Sequence, residues 1–400
     1  MPAAVPNARV LSAEHGASVA DRLAAYLPAS LAAEGAASID GAAIVVDAPG
    51  GGALELAELL HGAGAAAWVE GERLVVSATR SSLSLAASRA AGAAGELAAE
   101  LVRAFDSDRT PARRLRTRDL SLDLSERARV MGILNVTPDS FFDHGRYNDV
   151  DRARARAAEM VALGADIIDV GGQSYSALNL QIASEEEAAR VVPVVRALVR
   201  DELGVPLSID TFRAGVAERA LDAGAHLIND CSGLSDDRLA EVVAAADAAL
   251  VVMHLRGRLN IRDAAYPYDD ALGEILDYLR EGTERAVLAG IGRDSIAVDP
   301  GLEFGKEPRT DLEILERFGD LRSLGYPILF AASRKSFIGQ VFDLPASELL
   351  VPSLASAAIG IAAGARLVRV HDVAETVAVA RMLAAVRSEN RSHLVVAARR

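Results

Sequence analysis

Three phrases of one cast recur along the chain: "LGADIID" at 163–169, "AGAHLIN" at 223–229 and "AGARLVR" at 363–369. Each passes from a helix-like stretch through Gly164, Gly224 or Gly364 into a short apolar run. Glycine takes the left-handed conformation that closes a helix, so each phrase predicts a helix C-cap followed at once by a strand. Working outward, the strand candidates are "VMGILNV" (130–136), "IIDVGG" (167–172), "LSIDT" (207–211), "LINDCSG" (227–233), "ALVVMH" (249–254), "SIAVDPG" (295–301), "PILFAAS" (327–333) and "LVRVHD" (367–372). Between them lie helical patterns such as "SEEEAARVVPVVRALVRDELG" (184–204), with Ala188, Val191, Val192, Val195, Leu198 and Val199 on one stripe. Its Ser184 and Glu187 have capping-box spacing, and Pro193 predicts a bend or a cost. Strand and helix alternating across 128–388 predict a (β/α)8 barrel of the TIM type, with an open doubly wound sheet as the alternative.

The chain has 400 residues, which predicts two domains. Residues 1–106 read as a small α/β domain of unknown role, with Ser81 to Phe105 as one long helix. Residues 107–127, charged and with one proline, read as a linker, and 389–400 as a C-terminal tail. The balance of 42 Lys+Arg against 56 Asp+Glu gives a net charge of −14 and argues against a nucleic-acid or anionic-membrane partner. Cys231 is the only cysteine, so an intramolecular disulfide or a Cys-rich metal site is excluded. That fits a reducing cytoplasm. No apolar run reaches the roughly 18 residues of a membrane span, and the N-terminus does not have the pattern of a signal peptide.

In a barrel of this kind the ligand site is built from the C-terminal ends of the strands. Those ends are polar almost without exception: Asn135, Asp169 and Gln173, Asp210 and Thr211, Asn229 and Asp230, His254, Asp299, Ser333 to Ser336, then Arg369, His371 and Asp372. Buried charge is costly unless it is paired or offered to a ligand. Asp210, Asn229 and Asp299 are rich in acceptors and suit a flat heterocycle with amino and ring N–H donors, while Lys335 can donate to such a ring. Arg369 and His371, with Asn135, make a cationic and polar edge for phosphate oxygens, and an Asn beside phosphate can serve a Mg2+. The residues therefore describe a nitrogen heterocycle with a phosphoryl or pyrophosphoryl tail.

From Val130 to Arg387 the chain resembles the dihydropteroate synthase family. The resemblance is carried by "GILNVTPDSFFDHG", "GADIIDVGG", "SIDTFRAGVAERAL", "LINDCSG", "VVMH", "DPGLEFGK", "SRKSFIG" and "RVHDV", in that family's order. It implies condensation of a dihydropterin methyl pyrophosphate with p-aminobenzoate in folate biosynthesis, with release of pyrophosphate. It further implies a pterin pocket of Asp210, Asn229, Asp299 and Lys335 walled by Met253, and Mg2+ as cofactor between Asn135, Arg369, His371 and the pyrophosphate. By the same resemblance Asp143 would reach the metal–pyrophosphate end and Phe141 the acceptor. Ser336 would receive the acceptor's carboxylate and Phe304 would line the approach. The resemblance also implies a homodimer.

The match has gaps. After strand two the family reads close to G-G-E-S-T-R-P-G, whereas this chain has "GGQSYSALN" (171–179), with Gln173, Tyr175, Ser176 and Ala177 at the changed positions. Glu303 and Ala331 stand where glycine is usual. The open alternatives are an altered acceptor, a pterin-binding paralogue with little synthase activity, and a corrinoid-type methyl-transfer domain, the last having no use for a pyrophosphate clamp.

Overall fold

The structure is a computed structural model. It describes residues 7–11, 26–27, 42–49, 51–110, 112–137, 150–173, 182–257 and 266–387. The chain divides into two compact units: Met1–Pro111 with Glu316–Gly325, and Ala112–Leu315 with Tyr326–Arg400.

The first unit holds an antiparallel sheet of β1 (Asn7–Val10), β2 (Ala42–Asp47), β3 (Ala66–Glu70) and β4 (Arg73–Ala78), in the order β1-β2-β4-β3. Alternation along β2 feeds two cores. Ile44 and Val46 join Leu56, Leu60, Leu97 and Leu101 of the helices, while Ala43 and Val45 join Leu11, Leu27 and Val75. The single helix expected over 81–105 is two, Arg80–Ala87 and Gly92–Arg109, parted where Gly92 takes φ +54.

The second unit is the barrel. Its strands are β7 (Arg129–Asn135), β8 (Ile167–Gly171), β9 (Leu207–Asp210), β10 (Leu227–Asp230), β11 (Ala249–Met253), β12 (Ile296–Asp299), β13 (Leu329–Phe330) and β14 (Leu367–Val370). All pair in parallel, β14 returning to β7, and a parallel bridge from Val298 to Ile328 joins β12 to β13. Gly164, Gly224 and Gly364 take φ +100, +106 and +125, as the recurring phrase predicts. At each, the next residue's N–H reaches back five positions, to Met160, Ala220 and Gly360, closing a Schellman motif.

The stretch expected as a linker carries a hairpin, β5 (Arg114–Thr117) and β6 (Leu120–Asp123). Leu115 and, just past β6, Leu124 join Met131, Ile167, Leu227, Val251, Ala297 and Leu367 in the barrel's floor. Its arginines alternate with inward residues, so the charge count hid a period of two.

The helix Ser184–Arg200 is continuous through Pro193, which faces solvent, where the carbonyl it leaves without a donor can be hydrated. The expected capping box is not formed. Ala183 is the N-cap, and Glu187 is instead fully buried against Arg213. Among the described residues no helix is long and apolar enough to cross a membrane.

Candidate active site

Side chains two apart on a strand share a face. Above the floor residues Ile167, Leu227, Val251, Ala297 and Leu367 therefore stand Asp169, Asn229, Met253, Asp299 and Arg369, with Asp210 above Ser208 on β9. One period of the pleat thus turns an apolar plug into a polar rim at the strands' C-terminal ends.

Arg369 organises one side of that rim. Its Nε donates to Asp169 Oδ2 and its Nη2 to Asp210 Oδ2, both at 2.6 Å. Asp169 also accepts from Ser208 Oγ at 2.5 Å and from Asn229 Nδ2 at 3.4 Å. One cation therefore serves two buried carboxylates. Burial pushes the Asp210 carboxyl up, against the pull of Arg369 and with the Asp169 charge adding to the rise. Asp210 Oδ1 is buried and accepts no hydrogen bond from a described residue. Asn135 lies alongside, since a Cβ at Gly171 would be 3.1 Å from Asn135 Oδ1 and 3.7 Å from Asp210 Cβ.

The other side is built from β12 and the segment after β13. Asp299 Oδ1 accepts from Gly301 N at 2.7 Å. Burial raises the Asp299 carboxyl and lowers the Lys335 ammonium, and each opposes the other's shift. Lys335 Nζ donates to Leu302 O at 2.7 Å and lies 4.8 Å from the Phe304 ring centroid, a cation–π contact. Met253 and Cys231 form an apolar wall with Phe212, Leu255 and Phe304. Gly301 has to be glycine here, because at φ +66 its Cβ would fall 2.0 Å from His254 O.

Two groups at the centre lie outside the expected set. Asp169 reads in the sequence only as one strand-end carboxylate, yet it anchors Arg369. Lys306 closes the "DPGLEFGK" phrase, and its Nζ meets His254 Nδ1 at 2.9 Å, Gly301 O at 2.7 Å and Phe304 O at 3.0 Å. Burial pulls this ammonium down, to about 7.

His371 differs from the expected cation. Burial first, then Arg369, lowers the imidazole to about 4, so it is neutral at pH 7, with Nδ1 3.2 Å from Ser333 Oγ. Its folded value lies below the unfolded one of about 6.5, so the unfolded chain binds the extra proton between those limits. Stability contributed by the neutral ring is thus full above about 6.5 and lost as pH falls toward about 4. In denaturant unfolding, the wild-type advantage over His371→Asn is expected to shrink by about 2–3 kcal/mol from pH 7 to pH 4. A constant difference would contradict the neutral-ring assignment.

The pattern of the family described as "Pterin binding enzyme" matches residues 131–371. The dihydropteroate synthase of Bacillus subtilis is 40% identical over 280 residues, covering 70% of this chain and 95% of that one. The chain belongs to the dihydropteroate synthase family. It is a transferase of that family, with the barrel those enzymes share. The Yersinia pestis dihydropteroate synthase, solved with a sulfonamide drug complex, superposes with a TM-score of 0.66 at 39% identity, covering 68% of this chain and 99% of that one. The Xanthomonas albilineans enzyme in complex with 7,8-dihydropteroate gives a TM-score of 0.61 at 36% identity, covering 69% and 99%.

Against that family the departures acquire geometry. Gln173 is buried, and its Oε1 accepts from Arg213 Nη1 at 2.9 Å. Arg213 is already neutralised by Glu187, so a second carboxylate at 173 is not needed for charge balance. Arg256, a cation near the rim, is engaged with Glu274 at 2.6 Å and stacked 4.3 Å from the Tyr268 centroid. Phe141, Asp143, Tyr175, Ser176 and Ala177 lie outside the described residues. Ser336 follows Lys335, and both its N–H, at 3.0 Å, and its hydroxyl donate to Glu303 Oε1. Glu303 itself sits at φ +72, a left-handed conformation that costs a side-chain-bearing residue about 1–2 kcal/mol.

Proposed function

We propose that this rim binds 6-hydroxymethyl-7,8-dihydropterin pyrophosphate and joins its methylene carbon to the amino nitrogen of p-aminobenzoate or a related arylamine, releasing pyrophosphate. Asp210, Asn229 and Asp299 take the amino and ring N–H donors of the pterin, Lys335 donates to the ring, and Met253 covers a face. The observation that carries this reading is Asp210 Oδ1, buried and without a donor among the described residues, in the same polar layer as Asn229 and Asp299.

Arg369 and Asn135 face the pyrophosphate, and neutral His371 offers one ring N–H without asking a second buried cation to be desolvated. Departure of pyrophosphate is the difficult step, because charge grows on the leaving oxygen. The electron-rich pterin, held between carboxylates, spreads the positive charge left on the methylene carbon. The C–O bond to pyrophosphate breaks, the amine lone pair forms the C–N bond, and the amine's extra proton leaves to water or to the departing anion. A neutral arylamine is nucleophilic without a dedicated base.

Among the described residues no three His, Cys, Asp or Glu side chains gather as a metal cage. One carboxamide, Asn135, beside a site for pyrophosphate fits Mg2+, which prefers oxygen ligands and keeps waters and phosphate oxygens in its shell. When bound, the ion supplies charge neutralisation to the leaving group. The test is pyrophosphate release by the full chain from the dihydropterin pyrophosphate with Mg2+ and p-aminobenzoate. Release that depends on the acceptor is expected. Pterin binding with release at background would assign the chain to binding alone.

A further inference from the structure

The loop after β12 is held from several sides. Glu303 N donates to Asp311 Oδ1 at 2.8 Å, Lys335 Nζ holds Leu302 O at 2.7 Å, and Lys306 Nζ holds Gly301 O at 2.7 Å and Phe304 O at 3.0 Å. These bonds keep Glu303 at φ +72, a conformation glycine adopts freely and the family's usual residue would not resist. The same bonds aim its carboxylate at Ser336, whose N–H and hydroxyl both donate to Oε1. Ser336 is the residue that the family resemblance assigns to the carboxylate of p-aminobenzoate, and these are the two donors it has to offer.

We propose that Glu303 is the acceptor-specificity residue of this chain. Its carboxylate takes the place of the substrate's, and the pocket prefers an arylamine whose para group is uncharged and donates a hydrogen bond over one carrying an anion. A para-carboxylate arriving at Ser336 meets Glu303 at contact distance and finds both donors taken. Like charges in a part-buried site repel, and each lost charge-assisted bond weakens binding about tenfold or more. The neighbouring cation does not offset a further anion: Lys335 donates to Leu302 O and already faces the charges of Asp299, Glu303 and Asp311. A para-carboxamide reverses the sign of the contact, because its NH2 donates to the Glu303 oxygens.

The inference rests on the synthase reading, and one experiment separates the two. Pyrophosphate release by the full chain is followed at saturating dihydropterin pyrophosphate and Mg2+, varying p-aminobenzoate or p-aminobenzamide. Wild type, Glu303→Gln and Glu303→Gly are compared, the first variant preserving the side chain's bulk. For p-aminobenzoate, Glu303→Gly is expected to lower KM about tenfold or more with kcat within about twofold, and Glu303→Gln to give part of that gain. For p-aminobenzamide both variants are expected to raise KM. An unchanged ratio of kcat/KM for the two acceptors across the three proteins overturns the proposal. No release with either acceptor in any of them contradicts the synthase reading itself, and the acceptor preference falls with it.

Discussion

Arg369→Met is expected to reduce kcat/KM for pyrophosphate release about a thousandfold or more, and to destabilise the fold by about 3–5 kcal/mol. Both effects have one origin. Arg369 is the cation shared by Asp169 and Asp210, at 2.6 Å from each. Methionine fills much of the volume but leaves two buried carboxylates facing one another. Protonation of Asp210, whose carboxyl burial already pushes up, relieves part of the repulsion and weakens it as the acceptor proposed for the pterin. Arg369→Lys keeps the charge without the planar fork that reaches two carboxylates, so intermediate losses are expected. Urea unfolding and single-turnover release, measured side by side, check the pair of effects. Wild-type stability in the Met variant would mean that the Asp169–Arg369–Asp210 bridge carries no weight.

Lys335→Met is expected to lower kcat/KM by about a hundredfold to a thousandfold, through loss of the donor proposed for the pterin ring. The ammonium also offsets the buried charge of Asp299 and packs on Phe304, so the loss extends past one hydrogen bond. Arg is not expected to rescue it, because the longer fork cannot both reach Leu302 O and lie over the Phe304 ring as the ammonium does. Full recovery by Lys335→Arg in the release assay would show that only a positive charge is required there.

The barrel was legible because its signals are local. A glycine closing a helix and a short apolar run after it are set by neighbours in sequence, and Gly164, Gly224 and Gly364 all take the predicted conformation. The hairpin around Leu115 was hidden, since its inward residues acquire meaning only once the barrel floor exists to receive them. Glu187 shows the converse. Local spacing offered it to a capping box, but a buried ion pair with Arg213, 26 residues away, took it. The site followed the same division. Which residues end the strands could be read directly, as could the replacement at 303. That His371 is neutral, that Asp169 anchors Arg369, and that Glu303 holds Ser336, 33 residues on, depend on burial and on chain-distant partners.

In the proposed function, one polar layer of the barrel holds the pterin between carboxylates on the two sides of the rim, Asp210 of β9 and Asp299 of β12. Calorimetric titration of the full chain with the dihydropterin pyrophosphate, compared with Asp299→Ala and Asp210→Ala, tests it most directly. Each substitution is predicted to weaken binding about a hundredfold, since each leaves ring donors without their charged acceptor. Affinity within about threefold of wild type in both folded variants would place the ligand elsewhere and contradict the account.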